Sequence, residues 1–407
     1  MTTKNTPGLP SLGAEGISLA RLVVLGLATL SFVTAAAGQL RLSEQASAAF
    51  IKADGGYSQY AVNRGRATFA WRLDLFADAA INGNIFFLSN LRMLQDQIIH
   101  VDLFAIKFAD LASTGLNLEA GEIELPFGNL GERRFPKSNP FYGLPLTHEH
   151  VTTLRSSDYS LWPSTSYYAI AGDGVRILDQ GLYDLGVKLY GGAGMFDFWI
   201  ALMNGMVSAT STYSTGYGSS GLNTNSRLGM IGRLAMTPLT GVTLGGSYAT
   251  GPFLKEGGAY SPGGGVDPSE IDQHIVEADL DFSLEHAALY AEVFYNVWTF
   301  KEAIGSDLNA FGYSVEGRYT LLPRFLIALR AGGLRFNDVS VDTYNGGYFI
   351  QHYEGRWDHD VFRLEGALGY RLDRSALLKI VYEWNRTFRV PEDPADNVLV
   401  MQAVVGF

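Results

Sequence analysis

His148-Glu149-His150 is the grouping in this chain that most resembles a metal or acid–base site. In an extended backbone His148 and His150 project to the same side, and two imidazoles can begin a zinc site. The chain holds only seven His, and no third ligand follows at a recognisable spacing. A hydrophilic loop segment is the expected reading, with no metal and no cofactor. Nucleophilic chemistry has as little support. Ser283 and His286 lie close together but near a turn, and the chain has no G-x-S-x-G element and no P-loop. The Gly-rich runs Gly216–Gly221 and Gly257–Gly265 sit among Ser, Thr, Tyr and Pro, as flexible loops do. These residues do not read as an enzyme. What remains is charge placed at alternate positions, which can attract or repel a passing solute without making bonds.

That alternation defines the elements. In Arg66–Ala79 the odd positions are Ala67, Phe69, Trp71, Leu73, Leu75, Ala77 and Ala79, whereas Arg72, Asp74 and Asp78 fall on the even ones. A period of two over this length is a strand with one apolar and one polar face. Arg227 and Arg233 repeat the pattern around Leu228–Met236, and Glu277, Asp279 and Asp281 do so in Ile275–Ser283. Glu292 joins these polar positions. Glu316 and Arg318 alternate in Tyr313–Leu321, as do Arg363 and Glu365 in Phe362–Leu372. Lys379 and Glu383 stand opposite Ile380, Tyr382 and Trp384.

A soluble sandwich and a membrane barrel share such patterns, with the polar face outward in the first and inward in the second. The connections separate them. Short links such as Asn82-Gly83-Asn84, Gly192-Ala193-Gly194, Leu322-Pro323-Arg324 and Asp373-Arg374-Ser375 alternate with longer ones near 207–225, 252–272 and 337–358. Short turns on one rim and long loops on the other belong to outer-membrane barrels. Fifteen strands are clear from Arg66 onward, and a weaker first one lies within Ser43–Ala61. The final stretch, Asn397–Phe407, reads as a strand that must pair with one already made, which closes the sheet and removes its edges. The expected fold is all-β: a transmembrane, antiparallel, up-and-down barrel of about sixteen strands. At that size the enclosed space is an aqueous channel.

Composition agrees. The 407 residues are 47% hydrophobic, yet no run beyond the amino terminus is long enough for the helices of a polytopic membrane protein. The net charge of −11 disfavours nucleic acid as a partner, and the absence of Cys suits passage through an oxidising periplasm. Leu22–Val33, preceded by Arg21 and followed by Thr34-Ala-Ala-Ala-Gly38, has the layout of a secretory signal. Residues 1–38 are therefore expected to be a signal peptide and 39–407 the barrel, located in a bacterial outer membrane and contacting its lipid.

The longest connection runs from Gly128 to about Leu182 and begins Asn129-Leu-Gly-Glu-Arg-Arg-Phe-Pro-Lys137. A loop of this length is usually functional or disordered, and its aromatic residues argue against disorder. It is expected to fold into the barrel, with Glu132, Arg133, Arg134 and Lys137 at a constriction. The pore lining is expected to comprise Arg72, Asp74, Arg227, Arg233, Glu277, Asp279, Glu292, Glu316, Arg318, Arg363, Glu365, Lys379 and Glu383. Such a mixture of signs creates a transverse field suited to polar or zwitterionic solutes, with weak net selectivity.

Across nearly all of the mature sequence the layout resembles the phosphate-selective porin superfamily. Leu118–Gly128, ending Pro-Phe-Gly, is similar to the strand before that family's long third loop. Tyr183–Gly191 with Met203-Asn204-Gly205, Gly232–Tyr248, Ala376–Tyr382 and Gln402–Phe407 resemble later strands. The resemblance implies sixteen strands, an inward third loop and a homotrimer. The chain carries only eight Lys, so phosphate selectivity is not carried over. The expected function is a porin for passive diffusion of small polar solutes or ions. The alternative is a barrel that serves as sleeve for a partner protein, of surface-layer or electron-conduit type, with no transport of its own.

Overall fold

A computed structural model describes residues 39–54, 67–94, 99–155, 174–179, 182–208, 227–252, 271–300, 305–345, 348–389 and 396–406. The expected signal, Arg66, the tight link 95–97 and the terminal Phe407 lie outside the described residues, as do 216–221 and 257–265.

Sixteen strands form one closed antiparallel barrel. In chain order they begin with β1 (Gln39–Ala53), β2 (Ala67–Ala80), β3 (Ile85–Leu94), β4 (Ile99–Phe108) and β5 (Asn117–Glu124). After a long excursion come β8 (Tyr183–Ala193), β9 (Phe196–Met203), β10 (Gly229–Leu239), β11 (Val242–Pro252), β12 (Asp272–Leu284) and β13 (Ala287–Trp298). β14 (Leu308–Leu322), β15 (Phe325–Phe336), β18 (Val361–Arg371), β19 (Ala376–Thr387) and β20 (Val398–Gly406) complete the wall. Two small hairpins stand apart from it: β6 (Val151–Arg155) with β7 (Gly174–Arg176), and β16 (Asp338–Asn345) with β17 (Tyr348–Arg356). The second lies in a connection that reads as loop in sequence.

Closure comes from β1, which pairs with β20 from Gln45↔Gly406 to Ala53↔Val398 while its other edge pairs with β2. The first strand differs from expectation, running Gln39–Ala53 rather than within Ser43–Ala61. Its Ala and Ser residues have little strand preference of their own. Non-local pairing on both edges therefore sets its limits. Short turns carry the chemistry they need: Asn82 Oδ1 accepts the Asn84 and Ile85 N–H groups at 2.9 and 2.8 Å, and Asp373 Oδ1 accepts those of Ser375 and Ala376 at 2.7 and 2.8 Å.

Most strands expose apolar residues, as with Phe69 at 80%, Leu329 at 65%, Leu368 at 60% and Ile380 at 49%, and bury much of their polar face. That inversion is the sense of a membrane barrel. Replacing Ile380 by Lys is expected to destabilise the barrel by about 2 kcal/mol or more, given charge costs at lipid-facing positions. Urea titration of the folded fraction in liposomes measures this; an unchanged midpoint would mean that Ile380 does not face lipid.

Candidate functional site

The segment after β5 turns into the barrel at Gly128. Its φ of +65° lies in the left-handed region that favours glycine, and a Cβ there would crowd Glu292 Oε1 at 2.6 Å. The Gly128 N–H donates to Ser247 Oγ on β11 at 3.1 Å. Asn129 Nδ2 donates to Asp281 on β12 at 2.6 Å, and Arg133 reaches Glu316 on β14 at 3.4 Å. The Lys137 ammonium then donates to the Gly406 carbonyl on β20 at 2.9 Å, while its backbone N–H meets Gln45 of β1 at 3.2 Å. One segment that touches strands this far apart around the wall must cross the interior.

Wall cations hold that crossing by its backbone. The Lys379 ammonium donates to the carbonyls of Pro136, Asn139 and Phe141 at 3.0, 3.0 and 2.9 Å. Arg330 donates to those of Gly143 and Leu144 at 2.9 and 3.0 Å while gripping Glu365 at 2.5 and 2.7 Å. Arg318 donates to the Ser138 carbonyl at 3.2 Å and to the Tyr290 hydroxyl, and Arg133 stacks over that same ring at 4.1 Å. Arg363 donates to Glu149 at 2.6 Å at the end of the short helix Leu146–Glu149. At the exit, His150 Nε2 meets Asp358 Oδ2 at 3.1 Å, and the Thr153 hydroxyl donates to the Trp357 carbonyl at 2.8 Å. An apolar cluster including Phe127, Leu146, Leu154, Phe294, Trp298 and Trp357 fills the space between loop and upper wall.

Several residues expected to line an open pore are therefore covered. Lys379, Glu316, Arg363, Glu365 and Glu383 are at most 3% exposed. The reason is the loop, which sits on their side of the barrel and bonds Lys379, Arg363 and Glu316 directly. Glu277, Asp279 and Glu292 are likewise buried, with Arg233 donating to Asp279 at 2.5 and 3.0 Å and to Ser247 at 3.0 Å. Arg227 precedes β10 and pairs with Asp272 at 2.9 Å near the strand ends. Much of the mixed charge expected along the lumen therefore lies beneath the loop.

The two imidazoles go separate ways, His148 to Thr147 at 3.1 Å and His150 to Asp358. Among the described residues no group of three or more His, Cys, Asp or Glu is arranged to hold a metal ion. No hydrogen bond joins Ser283 to His286 among them either.

A cavity of about 410 Å³ lies between the loop and the β1–β4 side of the wall. Four arginines line it: Arg72, Arg92, Arg134 and Arg176, together with Asp102, Glu149, Tyr142 and Tyr183. Arg72 clasps Asp74 through two bonds of 2.8 Å, Arg92 pairs with Asp102 at 3.2 Å, and Arg134 pairs with Glu124. Glu132 is exposed on the loop. Arg92, Arg176 and Arg330 were missed in sequence. Arg92 alternates with Asn90 and Arg330 lies in a mainly apolar strand, patterns too short to flag a site, and Arg176 sits in a loop without periodicity.

These features define a transmembrane β-barrel crossed and narrowed by its own loop, the architecture of bacterial outer membranes. No protein-family model and no curated protein matches the sequence. Solved structures do resemble it. The anion-selective porin from Comamonas acidovorans is 8% identical with a TM-score of 0.56, covering 91% of this chain and 99% of that one. A loop L8 deletion mutant of OmpT, an outer membrane protein of Vibrio cholerae, gives 0.53 at 10% identity, covering 91% and 100%. Salmonella typhi OmpF, in complex with daunomycin, gives 0.52 at 10% identity, covering 90% and 97%. At such identities the likeness is one of fold.

Two variants probe the loop. Lys379→Met leaves three carbonyls without their donor, each worth about 1–3 kcal/mol when buried. It is expected to raise single-channel current noise and mean conductance while the barrel still folds; a trace identical to wild type would contradict the tethering. His148 gives a pH handle, because burial, with Arg133, Arg330 and Arg134 adding to it, pushes its imidazole from 6.5 down to about 3. The seated ring stays neutral, whereas a loop released into water takes up a proton below 6.5. Seating is therefore fully favoured above 6.5 and weakens as pH falls toward 3. His148→Leu is expected to reduce the rise in channel noise across that window, and an undiminished rise would assign it elsewhere.

Proposed function

We propose that this chain is an outer-membrane porin through which small hydrophilic solutes diffuse passively. The carrying observation is a barrel of sixteen strands whose crossing loop fills one side of the lumen and leaves a polar cavity of about 410 Å³ on the other. Barrels of this size enclose water, and a crossing loop sets the limiting width. Glu132, Arg133, Arg134 and Lys137 form the constriction in this reading. Arg133 and Lys137 anchor it, and Arg134 faces the solute path. The neighbours named as porins support the same class.

The reading includes cleavage of residues 1–38 as a secretory signal and assembly as a homotrimer. Small outward residues, Ala48 beside Ala403 across the β1–β20 seam, support a close contact between copies. The resemblance around Pro126-Phe127-Gly128 supports the layout and is not taken to name phosphate as the solute. A sleeve for a partner protein is disfavoured, because the loop already occupies the room a partner would need.

Planar-bilayer recording of the purified protein is the test. Discrete ohmic steps are expected, with partitioning of neutral polymers cutting off near the cavity's width. Insertion without any unitary conductance would overturn the reading.

A further inference from the structure

Resting on the porin reading, we propose that the open cavity recognises small organic monoanions by a single carboxylate, and that Arg176 is the specificity-determining residue. Most of the charge in this space is already committed. Arg72 uses two of its nitrogens on Asp74 at 2.8 Å, Arg92 pairs with Asp102 at 3.2 Å, and Arg134 with Glu124. The acids are committed too: Glu149 accepts from Arg363 at 2.6 Å and from the Leu144 N–H at 2.7 Å.

Arg176 differs from the other three. It lines the cavity and, unlike them, has no ion pair among the described residues, while its Nε, like that of Arg92, is buried without a hydrogen-bond partner. Its side chain is half-buried, and a carboxylate meets the planar fork of such a guanidinium with two parallel bonds. A solute entering the cavity therefore finds one uncompensated cation. A second negative charge on the same solute would find no further open fork and would lie among the carboxylates of Asp102 and Glu149. This orders the solutes: monoanions first, dianions behind them, cations last. A volume of about 410 Å³ accepts a small acid, since ligand pockets of this order hold small molecules. The overall charge of −11 gives no hint of this preference, because the covered wall carries much of the acid that a solute would otherwise meet.

The test uses the full protein in planar bilayers. Under a KCl gradient the reversal potential is expected to carry the sign of anion preference. Sodium benzoate should reduce the chloride current at concentrations where sodium phosphate at pH 8 reduces it less. Arg176→Gln is expected to lower the anion-to-cation permeability ratio by about half or more and to weaken benzoate block by about tenfold. Arg176→Lys should keep the sign of the ratio, and Arg324→Gln, in the turn between β14 and β15, should match wild type. Steps that prefer cations, stronger block by phosphate, or benzoate block unchanged in Arg176→Gln would each overturn the proposal while leaving the porin reading intact. If no unitary steps are seen, the porin reading fails and the proposal goes with it.

Discussion

An irregular stretch of backbone can cross the inside of a barrel only if its carbonyls find donors there. In this protein the donors are cations projecting from the wall. Lys379 alone satisfies three loop carbonyls, and Arg330 and Arg318 satisfy three more. Each contact is also a charge taken out of water, which would be unfavourable without those oxygens and the neighbouring carboxylates. Loop and wall are therefore mutually dependent. The loop needs the cations for its backbone, and the cations need the loop and their acid partners to be buried at all.

This dependence shapes what is left open. Strands from β11 to β19 spend many of their charges beneath the loop, and the cavity lies on the side from β1 to β4, lined by Arg72 and Arg92 of the wall and Arg134 and Arg176 of the loop. A charge on a lumen-facing position is thus not the same as a charge that a solute meets. The aromatic seal of Phe336, Trp298 and Trp357 at the upper rim fixes where the loop leaves the wall, with Trp298 and Trp357 rings 5.5 Å apart. The same exit is tied to the base of the β16–β17 hairpin through His150–Asp358 and Thr153–Trp357.

Much of the architecture was legible in the sequence because it follows from local rules. Alternation over Ala67–Ala79 set the faces of β2, and turns such as Asp373-Arg374-Ser375 set the short rim. An even strand number followed from closure. The limits of β1 were less legible, since its pairing with β20 links residues at opposite ends of the chain. The site was legible only in part. Gly128 marked where the loop turns inward, and Arg134 does face the cavity. Nothing local distinguishes Lys379, which lies under the loop, from Arg92, which lies beside it. Both occupy polar-face positions, and only the path of the loop across the barrel separates them. Arg176 gave no periodic signal at all.

The central claim is that the segment after Gly128 lies in the conducting path, held there by the wall. Because the chain has no cysteine, a single thiol can be placed without background. Glu132→Cys puts it on an exposed position of the loop. Treating the reconstituted channel with a charged, channel-permeant thiol reagent should lower the single-channel conductance stepwise. Complete labelling of the thiol with no change in conductance would contradict the account.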